Sequence, residues 1–125
     1  MIETMRVTMA LLMAPLLAVS ASAEGNAARG EARFQDCAAC HRLEAGVNEV
    51  GPSLHGIFTR KAGELKGFRY SPAMKRSDVT WTPETLEKYL ADPQAMIPAN
   101  RMPYAGMASA SDRADLIAYL SKASK

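Results

Sequence analysis

A chain of 125 residues suits one domain and not two. With 15 Lys+Arg against 13 Asp+Glu the formal charge is only +2, which excludes the strongly basic domain typical of nucleic-acid binding. Apolar residues make up 48% of the chain, a figure inflated by the N-terminal segment.

Residues 1–23 read as an export signal. Met1–Arg6 is a short polar start, and Val7–Val19 (VTMALLMAPLLAV) is an apolar run. That run is shorter than the ~20 residues a membrane-spanning helix needs. Ala21-Ser22-Ala23 then supplies the small-x-small pattern of a signal-peptidase site. The alternative, an uncleaved anchor, is opposed by the short run, Pro15 and the cleavage triplet, although Glu3 offsets Arg6 at the start. Cleavage after Ala23 leaves Glu24–Lys125 as one domain, still at +2 because Glu3 and Arg6 leave together. A chain this short has a small core and often needs a staple, a metal or a cofactor.

Gly25–Asp36 is expected to form a first helix, with Phe34 as its only large apolar residue. Leu43–Gly67 carries Gly46, Gly51-Pro52, Gly56, Gly63 and Gly67 and is expected to be loop. A loop this long in a compact domain suggests chain wrapped around something other than protein. Ser71-Pro72 opens a short helical turn through Ala73 and Met74. Thr82 is a good N-cap, with Pro83 at the first helical position, for a helix through Leu86, Tyr89 and Leu90 that stops at Asp92-Pro93. Gln94–Gly106, with Pro98 and Pro103, is expected to be loop. A last helix starts near Ser109 or Ser111, with Leu116 and Leu120 on one face at i and i+4. No segment alternates with period two, so the expected class is all-α, about four short helices joined by long loops.

Cys37-Ala38-Ala39-Cys40-His41 is the informative pentapeptide, and three readings compete. In the first, both thiols add across the vinyl groups of a haem and His41 binds the iron. Two cysteines three apart on a helical turn can reach neighbouring vinyls, and the next histidine then lies under the ring centre. The second reading, a dithiol redox pair, normally sits at the start of a helix in a βαβ setting, and no strands are evident. The third, zinc, needs four ligands; His55 would have to join Cys37, Cys40 and His41, and adjacent Cys40 and His41 could hardly both bind. In an exported protein two cysteines could also form a disulfide, but one closing so small a loop constrains little. Haem is the better account.

Past the leader the methionines are Met74, Met96, Met102 and Met107. A methionine taken singly is more often core filling than a ligand. Met102 differs in context, since Pro98 and Pro103 stiffen the stretch Ile97-Pro-Ala-Asn-Arg-Met-Pro103. Met107, beside Gly106, is the rival.

Seven segments together resemble the class I cytochromes c, in particular the bacterial cytochrome c2 and mitochondrial cytochrome c group. They are Cys37-Ala-Ala-Cys-His41, Gly51-Pro-Ser-Leu-His-Gly56, Arg60-Lys-Ala-Gly63, Gly67-Phe-Arg-Tyr70, Thr80-Trp-Thr-Pro83, Ile97-Pro-Ala-Asn-Arg-Met102 and Asp115-Leu-Ile-Ala-Tyr-Leu120. The resemblance spans nearly all of Gly25–Ala123 and implies a small cytochrome c fold around one haem c attached through Cys37 and Cys40. It makes His41 the proximal iron ligand and Met102 the distal one, with the Pro52 carbonyl accepting the His41 ring N–H. It places Arg60, Tyr70 and Trp81 at the haem propionates, and the Tyr89 hydroxyl near the methionine sulfur. Gly30 and Phe34 match the first-helix surface that packs on Leu116 and Tyr119. Met74 departs from the polar residue of mitochondrial relatives. Asn100 and Arg101 replace a Thr-Lys pair, so partner contacts are expected to differ there. His55, with no evident partner, is expected to be a surface or structural histidine.

Two protein ligands leave the iron no open position, which suits a one-electron carrier and not an enzyme. Taken with the export signal, the resemblance implies a periplasmic protein, expected to be a monomer. The partners expected are a bc1-type complex, a terminal oxidase or a photosynthetic reaction centre, with neither nucleic acid nor stable membrane insertion after cleavage. Arg33, Lys75, Arg76 and Arg101 are candidates for a basic docking rim. The rival functions are a haem enzyme or gas sensor with a labile Met102, and a membrane-tethered subunit.

Overall fold

The structure is a computed structural model, and it describes residues 10–16 and 25–125. Most of the expected leader, and its cleavage site, lie outside the described residues. Asn26 starts the first helix, α1 (Ala27–Ala38), by accepting the Arg29 N–H at 2.9 Å. The helix runs two residues past the expected end, which puts Cys37 in its last turn.

The long glycine-bearing segment that follows is irregular except for one 3-10 turn at Ile57–Thr59. A short helix, α2 (Pro72–Arg76), is capped by Ser71. An isolated antiparallel bridge pairs Lys61 with Thr80. Thr82 then caps α3 (Pro83–Ala91) through a reciprocal box in which Thr85 Oγ1 accepts the Thr82 N–H at 2.8 Å. Asp92 closes α3 and at once caps α4 (Pro93–Met96), accepting the Ala95 N–H at 3.1 Å. This corrects the expectation of a loop from Gln94 onward. Pro93 cannot continue α3, but it suits the first position of a new helical turn. The last helix, α5 (Ala110–Ala123), is capped by Ser109.

The order is therefore all-α, with α1 and α5 in close contact. Gly30 makes that approach possible: a Cβ there would sit 1.9 Å from the Asp115 carbonyl oxygen. Phe34 meets Tyr119 with ring centroids 5.5 Å apart, and Leu116 is fully buried in the same core. Asp115, buried within α5, accepts the Asn26 N–H at 2.7 Å and the Arg29 guanidinium at 3.0 Å. Arg113 reaches back from α5 to Glu87 on α3 at 2.5 Å. Leu86, Tyr89 and Leu90 of α3 complete the core with Ile57, Trp81, Ile97 and Met107.

Candidate functional site

Where α1 ends, the N–H groups of Cys40 and His41 both donate to the Cys37 carbonyl, at 3.1 and 2.9 Å. This turn brings Cys37, Cys40 and His41 to the wall of one cleft. The two thiols are half-buried and not joined to each other. Burial, with Asp36 and Cys40 beside it, pushes the Cys37 thiol up to about 11. A redox dithiol instead lowers its thiol pKa at a helix N-terminus or beside a cation. Here the motif begins at the negative end of α1, which does not favour a thiolate at Cys37 and so weighs against that reading. The zinc reading fails: among the described residues no three His, Cys, Asp or Glu side chains are grouped to hold a metal.

The His41 ring is held from behind. Its Nδ1 lies 2.7 Å from the Pro52 carbonyl oxygen, which can only accept, so the proton is on Nδ1 and the lone pair on Nε2. Burial holds the imidazole below its ordinary pKa; the Pro52 bond opposes this and the Arg60 charge adds to it. Pro52 is itself fixed. Gly51 donates to the Cys40 carbonyl at 2.9 Å, while Ser53, 1% exposed, gives its hydroxyl to the Glu44 carbonyl at 2.6 Å. The Ser53 N–H also goes to Asn48 Oδ1 at 2.8 Å.

Met102 comes from the loop after α4 and lines the same cleft. The Tyr89 hydroxyl donates to its sulfur at 3.3 Å. Burial pushes that phenol up to about 12, so it stays a donor across the neutral range. Trp81 stands edge-on against Tyr89 with centroids 5.0 Å apart. Met107, the rival methionine, is a core residue that does not line the cleft. Asn100 is buried as well, which corrects the expectation that it faces partners: its amide donates to the Pro93 and Ile97 carbonyls and accepts the Met102 N–H at 2.9 Å.

Arg60 donates to the Ser53 carbonyl and, at 2.9 Å, to the His55 carbonyl. Burial lowers the pKa of its guanidinium and raises that of the half-buried Tyr70 phenol. His55 is exposed, as expected of a surface histidine. Of the four candidate rim cations only Arg101 borders the cleft, where Arg69 joins it; Arg33 lies 3.8 Å from Asp112 on α5.

All nine expected site residues, Cys37, Cys40, His41, Pro52, Arg60, Tyr70, Trp81, Tyr89 and Met102, thus line one cleft. Between them stand Leu54, Ile57, Leu86, Leu90, Leu116 and Leu120. An apolar slot with an imidazole and a thioether on its walls, two thiols, and an arginine, a tyrosine and a tryptophan at hand fits a flat, carboxylate-bearing haem. Reading the sequence missed Ser53, Tyr104 and Gln94. Ser53 and Gln94 act through loop residues five to nine positions away, which only the folded loop brings to them, and the only prior hint for Tyr104 was its place two residues after Met102.

Comparison with known proteins agrees with this architecture. The family model described as cytochrome c matches residues 27–124. A cytochrome c2 iso-2 of Magnetospirillum fulvum is 53% identical over 87 residues, covering 70% of this chain and 91% of the relative. Cytochrome c2 of Blastochloris viridis is 44% identical over 103 residues, covering 82% and 81% of the two chains. Cytochrome c of Arabidopsis thaliana is 41% identical over 106 residues, with 83% and 95% covered.

Proposed function

Since the chain belongs to the cytochrome c family, as a class I c-type cytochrome of the cytochrome c2 group, we propose that it shuttles single electrons between redox complexes of the periplasm, with haem c bonded to Cys37 and Cys40 and its iron held between His41 and Met102. The protein is an electron carrier and not an enzyme, and its covalently attached haem supplies a one-electron iron couple. The observation that carries the residue assignment is that His41 and Met102 line one cleft, each with a further hydrogen bond, to the Pro52 carbonyl and from the Tyr89 hydroxyl.

The roles follow from that geometry. His41, neutral and oriented by Pro52, presents Nε2 as a donor to iron. Met102 is a soft, weak donor, and the Tyr89 O–H draws further density from its sulfur, so the pair favours the reduced state. Both bound to the iron, they would leave no position for oxygen, which disfavours the gas-sensor reading. Cys37 and Cys40 tether the macrocycle, and Arg60, Tyr70 and Trp81 would meet its propionates. The apolar leucine wall excludes water and so penalises the extra positive charge of the oxidised state.

The leader pattern of residues 1–23 supports export, and no described helix is long and apolar enough to cross a membrane. Arg69 and Arg101 beside the cleft would steer it towards acidic faces of a bc1-type complex, a terminal oxidase or a reaction centre. Spectra and redox titration of the holoprotein test the ligand set. The oxidised protein should show the weak far-red sulfur-to-iron band, and Met102→Ala should abolish it and lower the potential. An unaltered band and potential in that variant would refute the assignment. Glu24 at the mature N-terminus is the result expected for cleavage.

A further inference from the structure

Gln94, an exposed residue of α4, spans both sides of a strained peptide. Asn100 donates its N–H to the Ile97 carbonyl at 3.2 Å, closing a turn with Pro98 and Ala99 at its centre. Ala99 has φ of 66°, and no other non-glycine among the described residues has a positive φ. Pro followed by a left-handed residue is the type II pattern, whose third position normally takes glycine or asparagine. Alanine there is held against its own preference. The Gln94 side chain accepts the Ala99 N–H at 3.1 Å and donates to the Asn100 carbonyl at 2.9 Å. Asn100 in turn receives the Met102 N–H at 2.9 Å. A continuous set of bonds therefore runs from α4 through the strained turn to Met102.

We infer that Gln94 is a positioning residue for Met102, a brace that holds the Ala99 turn closed and so sets how often the sulfur leaves the iron. The inference rests on the ligand assignment above. Because the Gln94 side chain is exposed, water competes for its bond to the Ala99 N–H, while the bond to the Asn100 carbonyl is part-buried, and the strain at Ala99 works against the brace. The closed loop is then favoured by a modest margin that single substitutions can move either way.

Imidazole added to the oxidised holoprotein takes the iron position only where Met102 has left it, so its apparent affinity reads the open fraction. Gln94→Ala, losing two modest net hydrogen bonds, should bind imidazole about ten-fold more tightly. Ala99→Gly, which relieves the left-handed strain, should bind it several-fold more weakly. The far-red sulfur-to-iron band should be present in both variants without imidazole. Unchanged affinity in Gln94→Ala would overturn the brace, as would tighter binding in Ala99→Gly, which stands as the test if the first variant fails to fold. Absence of the far-red band from the unsubstituted protein would remove the Met102 assignment itself, and the brace with it.

Discussion

At Gly51 a single hydrogen atom leaves room for the His41 ring. A Cβ there would meet His41 Cε1 at 2.4 Å, and the ring cannot swing away without losing the Pro52 bond. Gly51→Ala should therefore destabilise the holoprotein by about 1–3 kcal/mol, the usual range for overpacking. Its denaturant midpoint should fall with little change in slope, and its haem spectrum should shift. A variant matching the unsubstituted protein in both would show that the ring has slack. Much at this scale could be read directly. Cys37, Cys40 and His41 are close neighbours in the chain, so their spacing alone specifies a common target. Ser53 could not be read in this way, because its task is set by Glu44 and Asn48, which only the folded loop brings to it.

The elements were legible to the extent that their caps are local. Thr82-Pro83 and Ser71-Pro72 mark α3 and α2 within a few residues, and both begin where those signals place them. The turn of α4 is not expected from the sequence because Asp92-Pro93 reads as the stop of α3 and Pro98 and Pro103 as loop, whereas Asp92 also caps a new turn. The crossing of α1 on α5 depends on Asp115, whose role as an acceptor for the start of α1 no helix pattern reveals. Hydrogen bonds from Arg29 and from the Asn26 N–H hold that carboxyl below its ordinary pKa. A depressed carboxyl contributes stability that is fully present above the unfolded-state value and is lost as pH falls through the folded one. Asp115→Asn should accordingly lower the unfolding midpoint at neutral pH, and the gap should close on acidification through and below the ordinary carboxylate range. Thermal unfolding of both proteins across that range checks it; a gap independent of pH would mean the carboxylate charge contributes nothing.

For the whole molecule, the leucines of the cleft wall come from the loop after Gly51, from α3 and from α5, so the cofactor is expected to serve as much of the core. Replacing both cysteines and expressing the chain without haem should leave a collapsed state. It should have reduced helical circular dichroism, dye-binding apolar surface and no sharp thermal transition. A cooperative transition with full helicity would show that the protein core suffices alone.

The amino-acid sequence by itself determined the all-α class, the C-x-x-C-H attachment motif, and the stiff, proline-bounded segment bearing Met102. These depend on residues near one another along the chain, where spacing and backbone preference act directly. Tertiary structure alone decided that Met107 belongs to the core, that Asn100 turns inward, and that Gln94 closes on Ala99. Each of those outcomes is set by which groups the folded loop brings together, and burial and loop hydrogen bonding, unlike helix caps, act only once the chain has folded back on itself.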